Sequence, residues 1–175
     1  MKISHFLSQI NEKVGQVTSW LTVTLMLLIC FNVASRYLFN NSEAWRTELE
    51  WHLFALIFLL GAGYALKHDK HVRVDLFYAN FSEQQKAIVN FIGTLLFLIP
   101  WCAIIIFASY KYAHSSWLMN EGSPDNGLPA RYFIKFSITL GFGLLLLQAI
   151  ALLISSFTTI LGTVSYTHLT LPTKA

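Results

Sequence analysis

Apolar residues fall into four long runs separated by three short polar connections. The first is about 17–37, with Leu25-Met-Leu-Leu-Ile-Cys-Phe31 at its centre. The second, about 49–66, carries Leu53 to Leu60 without a polar interruption; the third is about 88–110; the fourth, about 136–157, contains four consecutive leucines from Leu144 to Leu147. Runs of about 18 residues or more match the length an α-helix needs to cross a bilayer. They are continuous and do not alternate apolar with polar, which argues against a β-barrel. The pattern predicts an all-α membrane protein: four transmembrane helices in one domain over residues 1–163.

Ahead of the first run, Ile3, Phe6, Leu7, Ile10, Val14 and Val17 recur at helical spacing. Lys2, Gln9, Asn11, Glu12, Lys13 and Gln16 fall elsewhere on the wheel. This predicts an amphipathic helix that either lies in the membrane interface or simply continues the first span. The polar stretch with Glu12 and the three later runs favour a span over a cleaved leader. Pro100, in the middle of the third run, removes a backbone donor and predicts a kink. Residues 121–129, Glu-Gly-Ser-Pro-Asp-Asn-Gly-Leu-Pro, read as a dense turn segment, and the fourth helix is expected to open just after Pro129. Residues 164–175 break the pattern. The last ten of them, Tyr166 to Ala175, resemble translated cloning or adaptor sequence and are set apart from the functional argument.

Composition sharpens the class. Of 175 residues, 55 % are hydrophobic and only 12 % charged. A chain this short cannot bury so much apolar surface in one aqueous core. A cytosolic enzyme, a nucleic-acid-binding domain and a disulfide-stapled module are thereby excluded, and the net charge of +3 suggests no polyanion partner. Cys30 and Cys102 lie inside apolar runs and read as small hydrophobes. With the N-terminus inside, Lys67, Lys70 and Arg73 form a basic inner loop, which tips orientation toward cytoplasmic termini.

Polar residues at membrane depth carry the remaining information, because each is costly there. Arg36 ends the first span, Glu48 and Glu50 open the second, and His52 lies just inside. Trp45, Trp51 and Tyr37 are aromatic anchors at that level. The short hairpin allows Arg36 to meet Glu48 or Glu50, and Glu48 and His52 share a helix face. Such a cluster either positions the hairpin or contacts a partner protein or a lipid headgroup. Asn32, Asn90 and Gln148 sit inside spans and each requires a hydrogen-bond partner. Gly61, Gly63, Gly141 and Gly143 would permit close helix approach. His68 and His71 stand three apart without a third ligand, so they read as part of a solvated basic loop. No nucleophile, phosphate loop, metal site or haem ligand pair accompanies them; catalytic residues, metal and cofactor are all read as none. With no inverted repeat or paired broken helices, the chain reads as a subunit of something larger.

Three stretches together carry a family resemblance. One is Asn32-Val-Ala-Ser-Arg-Tyr-Leu-Phe39 followed by Trp45-Arg-Thr-Glu48. Another is Leu60-Gly-Ala-Gly-Tyr-Ala-Leu-Lys-His-Asp-Lys-His71, then Val-Arg-Val-Asp75. The third is Gly127-Leu-Pro-Ala-Arg-Tyr132 with Gly141-Phe142 beyond it. In order and spacing, from about residue 10 to 160, the chain resembles the small membrane subunit (DctQ-like) of tripartite ATP-independent periplasmic (TRAP) transporters. Where that family often has two adjacent acids, this chain has Glu48-Leu49-Glu50. The resemblance implies a scaffold in the bacterial inner membrane with both termini cytoplasmic. Its implied partners are a large multi-span subunit, which holds the substrate and sodium sites, and a periplasmic substrate-binding protein that delivers an organic acid. Arg36, Trp45, Glu48, Glu50, His52, His71 and Asp75 are the residues expected at a partner or lipid interface or in a structural polar cluster. The competing readings are a subunit of an electron-transfer complex and an unrelated membrane assembly factor.

Overall fold

The structure, a computed structural model, describes residues 2–68, 78, 80–125 and 127–169; side chains are described for 6–68, 78, 80–125 and 127–162. Four long helices result: α1 (Lys2–Phe39), α2 (Ala44–Lys67), α3 (Glu83–Leu118) and α4 (Tyr132–Leu169). Each contains a window long and apolar enough to span a membrane, within Phe6–Phe39, Ala44–Lys67, Glu83–Leu118 and Tyr132–Gly162. These helices overrun the apolar runs at both ends, because polar residues continue a helix readily once water or a neighbouring helix satisfies them. In hydrocarbon the helix is favoured because it satisfies every backbone group within the segment.

Local chemistry sets the ends. Asn40 closes α1 and Asn120 closes α3, both in the left-handed conformation (φ 50° each) that asparagine tolerates after a helix. After α3, the Glu121 N–H returns to the Ser116 carbonyl at 3.1 Å. A reciprocal capping box starts α3. The Gln85 N–H donates to Ser82 Oγ (3.3 Å), and the Ser82 N–H donates to Gln85 Oε1 (2.9 Å). A kink is expected at Pro100; the residues before it, Thr94–Leu98, form a π-helical turn in which the Ile99 N–H reaches Thr94 O, and the helix continues from Ile99. A proline cannot donate, and its ring crowds the carbonyl four residues back, so the turn before it opens.

α4 is the central helix. It packs against each of the other three, whereas α3 docks on α4 and makes no comparable contact with α1 or α2. In α4, 33 % of the span is buried, against 6 %, 6 % and 11 % in α1, α2 and α3. The small core joins Leu66, Cys102 and Leu145, one from each of α2, α3 and α4. Outward-facing side chains are large and apolar, including Trp20, Phe58, Phe97 and Phe133, each at least 70 % exposed. Such a surface suits lipid and not water.

Two of the four glycines singled out make the α2–α4 contact. A Cβ on Gly141 would stand 2.8 Å from the Leu59 backbone oxygen, and one on Gly63 would stand 3.2 Å from Leu144 O. Gly61 has only one distant neighbour, at 3.9 Å, and Gly143 faces open space. The N-terminal turns are continuous with the first span, and α1 is 38 residues long. At about 1.5 Å per residue that is about 57 Å, well beyond the ~30 Å of hydrocarbon. Asn11, grouped by the wheel with the polar positions, is completely buried between α2 and α4. Residues 164–169 continue α4.

Candidate functional site

The polar residues at the α1–α2 hairpin separate into two sets, because neighbours two apart on an α-helix point about 200° from each other. Glu48 turns away from α1, toward the loop between α3 and α4. Its Oε2 accepts the Leu128 N–H at 2.7 Å, and its Oε1 accepts the Ser123 hydroxyl. Only 7 % of the residue is exposed. Gly127 lies so close that an added Cβ would stand 2.2 Å from Glu48 Oε2, so a side chain there would displace the carboxylate. The stretch Trp45-Arg-Thr-Glu48 and the stretch beginning at Gly127 are thus parts of one contact, about 80 residues apart in the chain.

The same loop is fastened to its own helices through Glu121. Glu121 Oε2 accepts the Ser116 hydroxyl at 2.6 Å and pairs with Lys135, whose ammonium also lies 4.0 Å from the Tyr112 ring centroid. The Arg131 N–H donates to Glu121 O (2.9 Å), and the Ser123 N–H donates to Leu128 O (3.2 Å). The hydrogen bonds from Lys135 and Ser116 hold the Glu121 carboxyl below the ordinary carboxylate range, against a smaller opposing effect of desolvation.

Glu50 faces α1. Its Oε1 accepts the Asn32 amide at 2.8 Å. One turn nearer the hairpin, Arg46 donates to Ser35 Oγ (2.6 Å), approaches Glu43 at 3.6 Å and stacks over the rings of Phe31 and Trp45 at 5.4 and 5.5 Å. Arg46 is 8 % exposed, and its Nε has no hydrogen-bond partner. Trp45 donates its indole N–H to Glu43.

Arg36 does not join either acid, contrary to the expectation from the short hairpin. It is exposed and lies over the Tyr37 ring at 5.2 Å. The seam position that faces α2 is taken by Ser35, one residue and about 100° away on the helix. Glu48 and His52 do share a face, but His52 Nδ1 meets the Glu48 backbone carbonyl at 2.6 Å and not its carboxylate. His71 and Asp75 lie outside the described residues.

A second polar knot fixes the other end. Asn11 Nδ2 donates to Leu144 O (3.2 Å) and Gln148 Oε1 (3.4 Å), and Gln148 Nε2 reaches Ser8 Oγ (3.4 Å). Glu12 accepts from Lys67 and from His68 Nε2, the latter at 2.9 Å. Asn32, Asn90 and Gln148 all find partners; for Asn90 the partner is the Tyr78 hydroxyl at 3.0 Å. Arg46, Ser123, Glu121 and Asn11 were not singled out by the sequence. The two-residue offset from Arg46 to Glu48 was visible, but the rotation of α2 that separates them was not. Among the described residues, no three His, Cys, Asp or Glu side chains gather as a metal would need.

Four apolar helices around a nearly exposed periphery, tied at each end by polar knots, define a multi-pass membrane protein. The sequence model of the DctQ component of tripartite ATP-independent periplasmic transporters matches residues 25–159, and the chain belongs to that family. It is 28 % identical over 127 residues to a TRAP transporter small permease protein of Haemophilus influenzae, covering 73 % of this chain and 75 % of the relative. It is 26 % identical over 132 residues to the sialic acid TRAP transporter small permease protein SiaQ of Vibrio cholerae, covering 68 % and 75 %. The chain is thus a DctQ-like small permease subunit.

Proposed function

We propose that this subunit serves a sodium-coupled, binding-protein-dependent uptake system for an organic acid, as a scaffold that does not itself hold the substrate. The observation that carries the reading is the family match, which reaches across all four apolar helices. The substrate class follows the relative named for sialic acid, itself a carboxylate. The partners are a large multi-span subunit and a periplasmic substrate-binding protein, in contact with lipid on the remaining faces. The membrane is the bacterial inner membrane, with both termini cytoplasmic and residues 1–163 acting as one domain. The hairpin residues Arg36, Trp45, Glu48, Glu50 and His52, with His71 and Asp75, which follow α2 in the sequence, belong to its interfaces or to the polar contacts behind them.

The test is reconstitution. Liposomes holding the large subunit, this chain and the cognate binding protein should take up substrate when a sodium gradient is imposed. Liposomes lacking this chain should not, and neither should this chain alone. Robust uptake by the chain alone would defeat the scaffold reading. Reporter fusions in the α2–α3 loop and at Asp125 should give cytoplasmic and periplasmic signals, respectively; the reverse would invert the orientation.

A further inference from the structure

Glu50 is an unusual charge. It is the seventh residue of α2, about 9 Å along the axis from Ala44. An α2 of 24 residues is about 36 Å long, so with the helix centred and projecting about 3 Å past each boundary Glu50 sits about 6 Å inside a ~30 Å hydrocarbon layer. It is half-buried at the α1 seam. Its only hydrogen bond among the described residues comes from the neutral amide of Asn32. The nearest cation along the helix, Arg46, is committed to Ser35, Glu43 and two aromatic rings. A carboxylate at this depth is expected to face a donor or an opposite charge, and the described residues supply only one neutral donor.

What lies beside Glu50 is not closed protein. At 100° per residue, Phe54 stands about 40° around α2 from Glu50, Phe58 about 80° and Trp51 about 100°. These three are 64 %, 71 % and 67 % exposed. Phe54 and Phe58 also line a groove of about 420 Å³ between α2 and α4, together with Ala55, Leu59, Ile134, Lys135 and Ile138. Lys135 is already paired with Glu121 and offers no free charge. The face therefore has an apolar bed along its length and one under-satisfied anion at its edge. Lipid chains could fill the bed but bring no donor to that depth. A transmembrane helix carrying a Lys or Arg could do both.

We infer that the Trp51–Phe54–Phe58 face of α2 is the docking surface for a transmembrane helix of the large subunit, anchored by a basic side chain of that helix on Glu50. The inference rests on the scaffold reading above. Desolvation within the interface makes the anchor sensitive to its charge, so reversal should weaken assembly far more than neutralisation.

The test uses the intact complex in membranes. Single cysteines at Phe54 and at Phe97, the latter on the exposed outer face of α3, are placed in a chain with Cys30 and Cys102 replaced by serine or alanine. F54C should cross-link to the large subunit and F97C should not. In pull-downs, E50Q retains an acceptor for Asn32 and should weaken capture about three- to tenfold, and E50K should weaken it by more than about a hundredfold, two decades in affinity. Changing the cross-linked helix's Lys or Arg to Glu should restore capture by E50K. Cross-links from F97C alone, no cross-links from either cysteine, or E50K capture at wild-type strength would each overturn the inference while leaving the scaffold reading intact. If the unaltered chain captures no multi-span subunit, it is the scaffold reading that fails. The cysteine arm leaves Glu50 untouched, so it decides the matter even where E50K does not fold.

Discussion

Gly63→Ala is a one-methyl change at the crossing of three helices. The new Cβ would stand 2.2 Å from Asn11 Oδ1 and 3.2 Å from Leu144 O. The Asn11 side chain must move, because the backbone of α4 on the other side cannot. Moving it strains its two hydrogen bonds, to Leu144 O and Gln148 Oε1. Overpacking a tight site costs about 1–3 kcal/mol, and each bond lost about 0.5–1.5 kcal/mol. Against this, alanine favours the helix over glycine by about 1 kcal/mol. The net is a destabilisation of about 2–3 kcal/mol, which for a chain of this size lowers the melting temperature by about 4–12 °C. Asn11→Ala should cost less than Gly63→Ala, since it also removes the buried Oδ1, which has no hydrogen-bond partner. In the double variant the clash is gone, so the two effects should fall short of their sum by about 1–2 kcal/mol, the coupling expected of residues in direct contact. Thermal unfolding of the four proteins in one detergent, followed by tryptophan fluorescence and gel filtration, measures the cycle. A Gly63→Ala protein as stable as the parent, or strictly additive effects, would refute the three-helix crossing.

Gly141 and Gly143 should behave oppositely: Gly141→Ala should lower the melting temperature because its Cβ meets the Leu59 backbone at 2.8 Å, while Gly143→Ala, facing open space, should leave it unchanged or raise it slightly. Glu48→Ala should free the Leu128 N–H and Ser123, and speed exchange of the Leu128 amide by about tenfold or more in hydrogen-exchange mass spectrometry, while the α3–α4 core stays protected. The Glu121 carboxyl is lowered in the folded chain, so its contribution is complete above the ordinary value of 4.5 and is lost as pH falls through the folded value. Protection of the 119–131 loop from protease should therefore be flat from pH 5 upward and decline in stronger acid, and Glu121→Gln should shrink that acid limb without abolishing it, because the Glu48 carboxylate also holds Ser123 and Leu128.

Much of the architecture is legible in the chain because bilayer physics acts on composition and length. Four apolar runs had to become four helices, since no other element satisfies the backbone in hydrocarbon without closing a barrel. The need for partners at Asn32, Asn90 and Gln148 was equally readable. The three motif stretches located the family that the comparison then established. The identity of the partners was not readable, because pairing depends on how far each helix is rotated and where it crosses its neighbours. Glu48 and Glu50 look interchangeable in the sequence. A rotation of about 200° between them sends one to Leu128 and Ser123 and the other to Asn32, while on α1 the seam position falls to Ser35, which leaves Arg36 facing outward. Asn11 reads as a polar-face residue of an amphipathic turn, yet α1 crosses Gly63 at the point where α4 also passes, and Asn11 becomes the most enclosed polar side chain. Lipid requires only that a helix be apolar; which of its faces meets protein is decided when the helices pack.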